Sequence, residues 1–138
     1  MRAAVRGDVG AARVRDLARV PVGVNDRTGS HYTTLQSLEG VLARADIVVE
    51  HLGIPENRYQ ALKDGKSRAV AVMEPFISLG LKSGAHIIAA SFYRGGEVVA
   101  PDLTPEERKA YYDAENRAVD LINADFYKYA HHVAAATK

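Results

Sequence analysis

The chain has 138 residues, enough for one domain with a proper core and too few for two of ordinary size. Apolar residues make up 47% and charged residues 25% of it, which is the composition of a globular protein and excludes a disordered or fibrous chain. A net charge of +1 supplies no field for duplex nucleic acid or an anionic membrane surface, and the absence of cysteine excludes a disulfide frame, a thiolate nucleophile and a cysteine-ligated zinc.

The stretch Met1 to Arg15 carries Arg2, Arg6, Arg13 and Arg15 but lacks the uninterrupted apolar core of a secretory signal. No later run is long enough to cross a bilayer, so a cytoplasmic location without membrane insertion is expected. Residues 1–19, rich in arginine and alanine, predict a short helix that frays at its beginning and ends near Leu17. Residues 1–16 then form an N-terminal extension, and residues 17–138 one α/β lobe with C-terminal helices. Val20 to Val24 predicts the first strand. After the polar turn Asn25 to Gly29, the apolar positions Tyr32, Leu35, Leu38, Val41 and Leu42 recur at helical spacing, with Ser30 as the cap.

Ile47 to Leu52 predicts a second strand, and Pro55 to Lys63 a short helix with Tyr59 and Leu62 on one face, closed by Gly65. Ala69 to Met73 is uniformly apolar, as in a strand buried on both faces. A helix through Ile77, Leu79 and Leu81 follows and stops at Gly84. His86 to Phe92 and Glu97 to Ala100 are strand-like, separated by Tyr93, Arg94, Gly95 and Gly96. Thr104, Pro105 and Glu107 spell a capped helix start with a capping box. That helix is expected to turn Tyr111, Ala114, Ala118, Leu121 and Ile122 inward and to end near Asn123. Asp125 caps a last helix bearing Phe126, Tyr129 and Val133. Strands alternating with helices predict a single open, mainly parallel sheet flanked by helices, with a helical C-terminal tail.

In such a sheet the strand-to-helix hand-overs share one edge, and ligands bind there. The first, Asn25, Asp26, Thr28, Gly29, Ser30, His31 and Tyr32, joins a turn to a helix start, where outward amides and the helix dipole suit a carboxylate, phosphate or sulfonate. An ordinary capped helix start predicts the same residues. The second hand-over brings Glu74, the only acidic residue between Asp64 and Glu97, followed by Phe76. Glu74 either pairs with His31 as acid and base or simply caps the helix after it. Tyr93 and Arg94 form either a stacking and anion-pairing arm or a hairpin tip. His131 and His132, neighbours about 100° apart on a helix, cannot chelate one metal together. Neither a metal nor a cofactor is expected.

The order of these segments, Asn25 to Tyr32, then Arg58 to Leu62 before Gly65, then Met73 to Leu79, then Tyr93 to Gly96, then Leu121 to Asp125, resembles the type II periplasmic binding fold. More narrowly it resembles the branch with nitrate-, sulfonate- and taurine-type substrate-binding proteins of ABC importers and the thiamine-pyrimidine synthase-like proteins. The resemblance runs from about Leu17 to His132 and implies the second of two lobes plus the helices after it. Arg68 stands where such proteins usually carry an acidic residue, and Phe126 where a proline commonly follows Ala-Asp.

Three functions follow from these readings. One is a small-molecule binding lobe whose contacts come from residues 25–32, Glu74, Phe76, Tyr93 and Arg94. Another is a stand-alone cytoplasmic enzyme, a lyase, isomerase or cyclase, with His31 and Glu74 as acid and base. The third is an inactive half of a two-lobed binding protein. With the first lobe missing, the exposed edge implies a homodimer or a separate first-lobe protein as partner, besides the small-molecule ligand.

Overall fold

A computed structural model describes residues 2–6, 13–92, 95–96 and 98–136. It divides into two compact units, Met1–Tyr93 and Arg94–Lys138.

The first unit is a five-stranded sheet of β1 (Arg2–Arg6), β2 (Pro21–Val24), β3 (Val48–His51), β4 (Ala69–Val72) and β5 (Ala85–Ala90), in the order β3-β2-β4-β1-β5. Its helices are α1 (Gly29–Glu39), α2 (Pro55–Lys63) and α3 (Phe76–Lys82), with short 3-10 turns at Val14–Leu17 and Arg44–Asp46. Strand β2 pairs in parallel with both β3 and β4, while β1 runs antiparallel between β4 and β5. Four strands therefore run one way, and the sheet is mainly parallel as expected.

The alternation of side chains along a strand splits the core into two layers. On one face Leu17, Val22, Leu38, Ile47 and Ala69 pack together, with Leu35 of α1 beside them. On the other, Val70 and Val72 meet Leu62 of α2 and Ile77 of α3. All four residues of β4 are buried, which is why its sequence is apolar without alternation. Gly23 lies between the buried valines of β2. A Cβ there would stand 2.5 Å from Leu52 Cδ1 and 3.0 Å from Val70 Cγ1, so the bare glycine makes room for Leu52.

Two sequence expectations are corrected in this unit. The segment Arg2–Arg6 is a strand rather than part of a helix, paired on both sides through Ala3 with Ala71 and Ala89. Arginine and alanine favour a helix locally, but the open ladders of β4 and β5 recruit this segment as a strand. The cap expected from Ser30 is also absent: Thr28 is the first cap residue of α1, and neither side chain caps the helix. The glycine stops are as read, with Gly65 and Gly84 at φ of 73° and 83°.

The second unit contains α4 (Pro105–Ala124) and α5 (Phe126–Ala136). Residues 98–100 have no regular secondary structure in place of the strand expected at 97–100; Glu97 lies outside the described residues. No residue of α4 is buried. Tyr111, Leu121 and Ile122, expected to face inward, are exposed, as are Phe126 and Val133 of α5. Helical periodicity identifies an apolar stripe without saying what covers it. Asp125 does cap α5, accepting the Lys128 N–H at 3.2 Å.

At the start of α4 the Thr104 N–H donates to Glu107 Oε2 at 2.8 Å, and the Glu107 N–H returns to Thr104 Oγ1 at 3.2 Å. The backbone bond from Thr104, and after it the Thr104 hydroxyl, lower the Glu107 pKa; slight desolvation opposes them. A carboxylate with a lowered folded-state pKa stabilises above its unfolded value, and that stabilisation disappears as the pH falls through the folded value. Glu107→Ala is therefore expected to reduce helical circular dichroism at pH 7, with the wild type and variant converging on acidification below the usual glutamate range.

Candidate functional site

Strands β2 and β4 are neighbours, so the turn leaving β2 and the turn leaving β4 open side by side at the carboxyl edge of the sheet. The β2–α1 turn contains Asn25 to Thr28, and the β4–α3 turn Met73 to Pro75, with a cis Glu74–Pro75 peptide bond. Helix α1 covers one face of the sheet and α2 and α3 the other, so this edge is where the connections diverge. In open α/β sheets ligands bind at such a place.

Within the first turn, Ser30 is buried. Its Oγ accepts the Asn25 N–H at 2.9 Å and lies 3.0 Å from Thr28 Oγ1, which donates to the Asn25 carbonyl at 2.8 Å. These bonds hold the turn closed from inside. Arg27 adopts φ of 57°, a left-handed conformation, next to Asp26. The Asp26 N–H donates to His51 Nδ1 at 3.0 Å, which leaves the proton of a neutral His51 on Nε2.

His31 Nδ1 lies 2.7 Å from Asp26 Oδ1 and 3.1 Å from the Arg27 N–H. Two proton arrangements fit: a protonated Nδ1 donates to Asp26, or a bare Nδ1 accepts from Arg27. The His31 ring also stacks on Tyr32 at 5.4 Å, and the Tyr32 side chain is itself exposed.

The amides of Asn25, Asp26 and Arg27 are thus engaged within the turn. Those of Thr28, Gly29 and Ser30 have no acceptor among the described residues, and they form the positive end of α1. Gly29 is open to solvent, and a Cβ added to it would meet nothing within 4 Å.

Glu74 takes the capping role. Its Oε2 accepts the Ser78 N–H at 3.2 Å and the Ser78 hydroxyl at 2.9 Å. No hydrogen bond or ion pair joins it to His31, whose carboxylate partner is Asp26. Phe76 packs into the second layer of the core, its ring 5.7 Å from that of Tyr59. Tyr93 and Arg94 lie outside the described residues.

His51 was not singled out from the sequence, although its place at the carboxyl end of a parallel strand marks it by the same edge rule. Arg58 enters the sequence reading only within the segment Arg58 to Leu62 of the resemblance, on a helix expected to carry Tyr59 and Leu62 on one face. The structure buries Arg58 and Leu62 instead. Among the described residues no group of three or more histidine or acidic side chains is placed to hold a metal. The His131 and His132 rings, expected to diverge, have centroids 3.9 Å apart. In the second unit, open hollows are lined by Val98, Val99, Leu103, Glu107 and Tyr111, and by Gly95, Gly96, Tyr112 and Glu115.

The fold resembles that of periplasmic substrate-binding proteins. The alkanesulfonate-binding protein SsuA from Xanthomonas axonopodis pv. citri bound to MOPS superposes with a TM-score of 0.57 and 26% identity, over 64% of this chain and 31% of that one. The periplasmic aliphatic sulphonate binding protein SsuA from Escherichia coli gives 0.55 and 24%, over 63% and 30%. An ancestral arginine-binding protein bound to arginine gives 0.55 and 21%, over 90% of this chain and 54% of that one. The chain thus spans about a third of the sulfonate-binding proteins and about half of the arginine-binding one. No protein-family model and no curated protein matches it. Among the described residues no helix is long and apolar enough to cross a membrane.

Ser30→Ala is expected to lower unfolding stability by about 1 kcal/mol, because the half-buried Asn25 amide loses its acceptor. Tyr32→Ala, at an exposed position, should stay within about 0.5 kcal/mol of wild type. Urea denaturation of the two variants checks both values.

Proposed function

We propose that the chain is a small-molecule binding lobe, the counterpart of the second lobe of a type II substrate-binding protein in the sulfonate-binding and thiamine-pyrimidine synthase-like branch. Its ligand contacts come from the β2–α1 and β4–α3 turns. The observation that carries this reading is the run of three unaccepted amides at Thr28, Gly29 and Ser30, at the edge where two neighbouring strands open together. Donors of this kind, backed by a helix dipole, favour an anionic or polar group. Asn25, Asp26, His31 and Tyr32 flank them along the chain, and Glu74 belongs to the turn that leaves the neighbouring strand, with Phe76 after it.

A ligand at such an edge needs a second wall, which a further copy of this chain or a separate first-lobe protein supplies. The exposed Tyr111, Val119, Leu121, Ile122 and Phe126 of the C-terminal helices support a partner, since exposed apolar side chains gathered on a short pair of helices favour association. The acid–base reading of His31 with Glu74 draws no support from the geometry, in which each side chain is engaged inside its own turn.

Native mass spectrometry of the gently purified protein tests the proposal. The expected spectrum is a dimer or hetero-complex carrying a defined small-molecule mass. Gly29→Val places bulk over the free amides without an internal clash, so it should reduce the bound fraction about tenfold with unchanged thermal stability. A bare monomer, or full retention of the adduct by Gly29→Val, would remove the β2–α1 turn from the site.

A further inference from the structure

Helix α4 runs for 20 residues and buries none of them, although its apolar side chains are aligned. Tyr111, Ala114, Ala118 and Leu121 recur at spacings of three and four, the seam of a helix that pairs with another helix, and Ile122 widens it at the far end. All five are exposed. The opposite face completes its charges within the helix, where Lys109 pairs with Asp113 one turn on. One flank of the seam is arranged differently: Arg108 and Glu115, seven residues apart, hold the same place beside it in successive repeats. Arg108 Nε donates to the Leu103 carbonyl at 3.1 Å, which holds the guanidinium along the start of the helix.

These charges decide what fits the seam. Two copies of one helix laid antiparallel bring the same flank of each together, so that flank must be complementary to itself. With Tyr111 of one copy opposite Ala114 of the other, Arg108 and Glu115 face each other across the flank, and the two-fold axis makes the pair twice. An aromatic ring then lies over a methyl group in both central layers. Ala118 faces Glu107, whose carboxylate is already held by Thr104. Leu121 and Ile122 come opposite Thr104 and Leu103, at the open hollow lined by Val98, Val99, Leu103, Glu107 and Tyr111. Other pairings lose these matches. Sliding one helix to set Tyr111 against Leu121 puts Glu115 opposite Glu115 and Arg117 opposite Arg117. A parallel pair in register sets Ala110 against Glu115 and Arg117 against Ile122, with no ion pair.

We propose that α4 is a dimer contact, on which a second copy of this chain lays its own α4 antiparallel, with Arg108 of each copy on Glu115 of the other. Leu121 and Ile122 of each copy fill the hollow of the other. The inference rests on the need for a partner in the binding-lobe reading above, and it deepens that reading by committing it to a second copy and naming the surface. The alanines at 114 and 118 let the helices approach. The reciprocal charges fix direction and register, as flanking charges do in paired helices.

Sedimentation equilibrium of the full chain across a concentration series tests the contact, on wild type, Arg108→Glu, Glu115→Arg and the double variant. Wild type is expected to be a dimer. Each single reversal sets like charges face to face twice and should raise the dimer dissociation constant at least about tenfold, with helical circular dichroism unchanged. The double variant restores both pairs with the signs exchanged and should return to within about threefold of wild type. The two single variants, mixed in equal parts, should associate with each other more tightly than either does with itself.

A monomeric wild type overturns the proposal, as does a complex with a different protein in place of the dimer. A dissociation constant that is the same in all variants, or a double variant as weak as the single ones, overturns it too. The binding-lobe reading fails separately. A dimer indifferent to the charge reversals but carrying a small-molecule mass that Gly29→Val loses removes the α4 contact and leaves the lobe standing. A dimer that follows the charge series but carries no such mass keeps the contact and removes the lobe.

Discussion

The pairing of β2 with β4 is the constraint on which the rest of the first unit depends. Because β3 lies on the far side of β2, the chain must leave β2 by one route, return in β3, and cross over to reach β4. Helices α1 and α2 are thereby sent to opposite faces, and two turns distant in sequence open beside each other. The uniformly buried β4 holds this arrangement, with Ala69 in one core layer and Val70 and Val72 in the other. A slip of one residue in its register would exchange those layers, so the apolar character of both sides keeps the strand buried while the pairing with Val22 and Gly23 sets its position.

The β2–α1 turn shows how the polar groups of such an edge divide between structure and availability. Asn25, Asp26 and Arg27 direct their amides to Ser30, His51 and Asp26, and these bonds fix the loop. The next three amides are left over, since a helix start satisfies none of its own first donors. The side chains that most resemble ligand contacts in the sequence, Ser30 and His31, are thus partly engaged in positioning the backbone groups that follow them. Glu74 behaves similarly: a carboxylate at a helix start is stabilised by the amides before any external partner is considered.

Much of this was legible in the sequence because it depends on local chemistry. The capping box at Thr104 and Glu107, the glycine stops at Gly65 and Gly84, and the buried strand at 69–72 are dictated within a few residues. The strand at Arg2–Arg6 was not legible, since its partners lie more than sixty residues away and its own residues favour a helix. The exposure of Tyr111 and Leu121 was not legible either, because a stripe of spacing says nothing about the surface that meets it. His51 and Arg58 escaped for a third reason. Each acts through a neighbour or an environment that only folding assembles: the amide of Asp26 for one, and the dry underside of α2 for the other.

The charges at the carboxyl edge follow from the same separation. Its acidic side chains each have a place of their own: Asp26 beside His31, Glu50 accepting from the Ser67 hydroxyl, Glu74 on Ser78, and Glu56 exposed on α2. Moving Glu74 away would leave the Ser78 amide without its acceptor at the start of α3. The carboxylates of this edge are thus committed to donors of their own, and the amides left over at the start of α1 are what the edge keeps to offer outward.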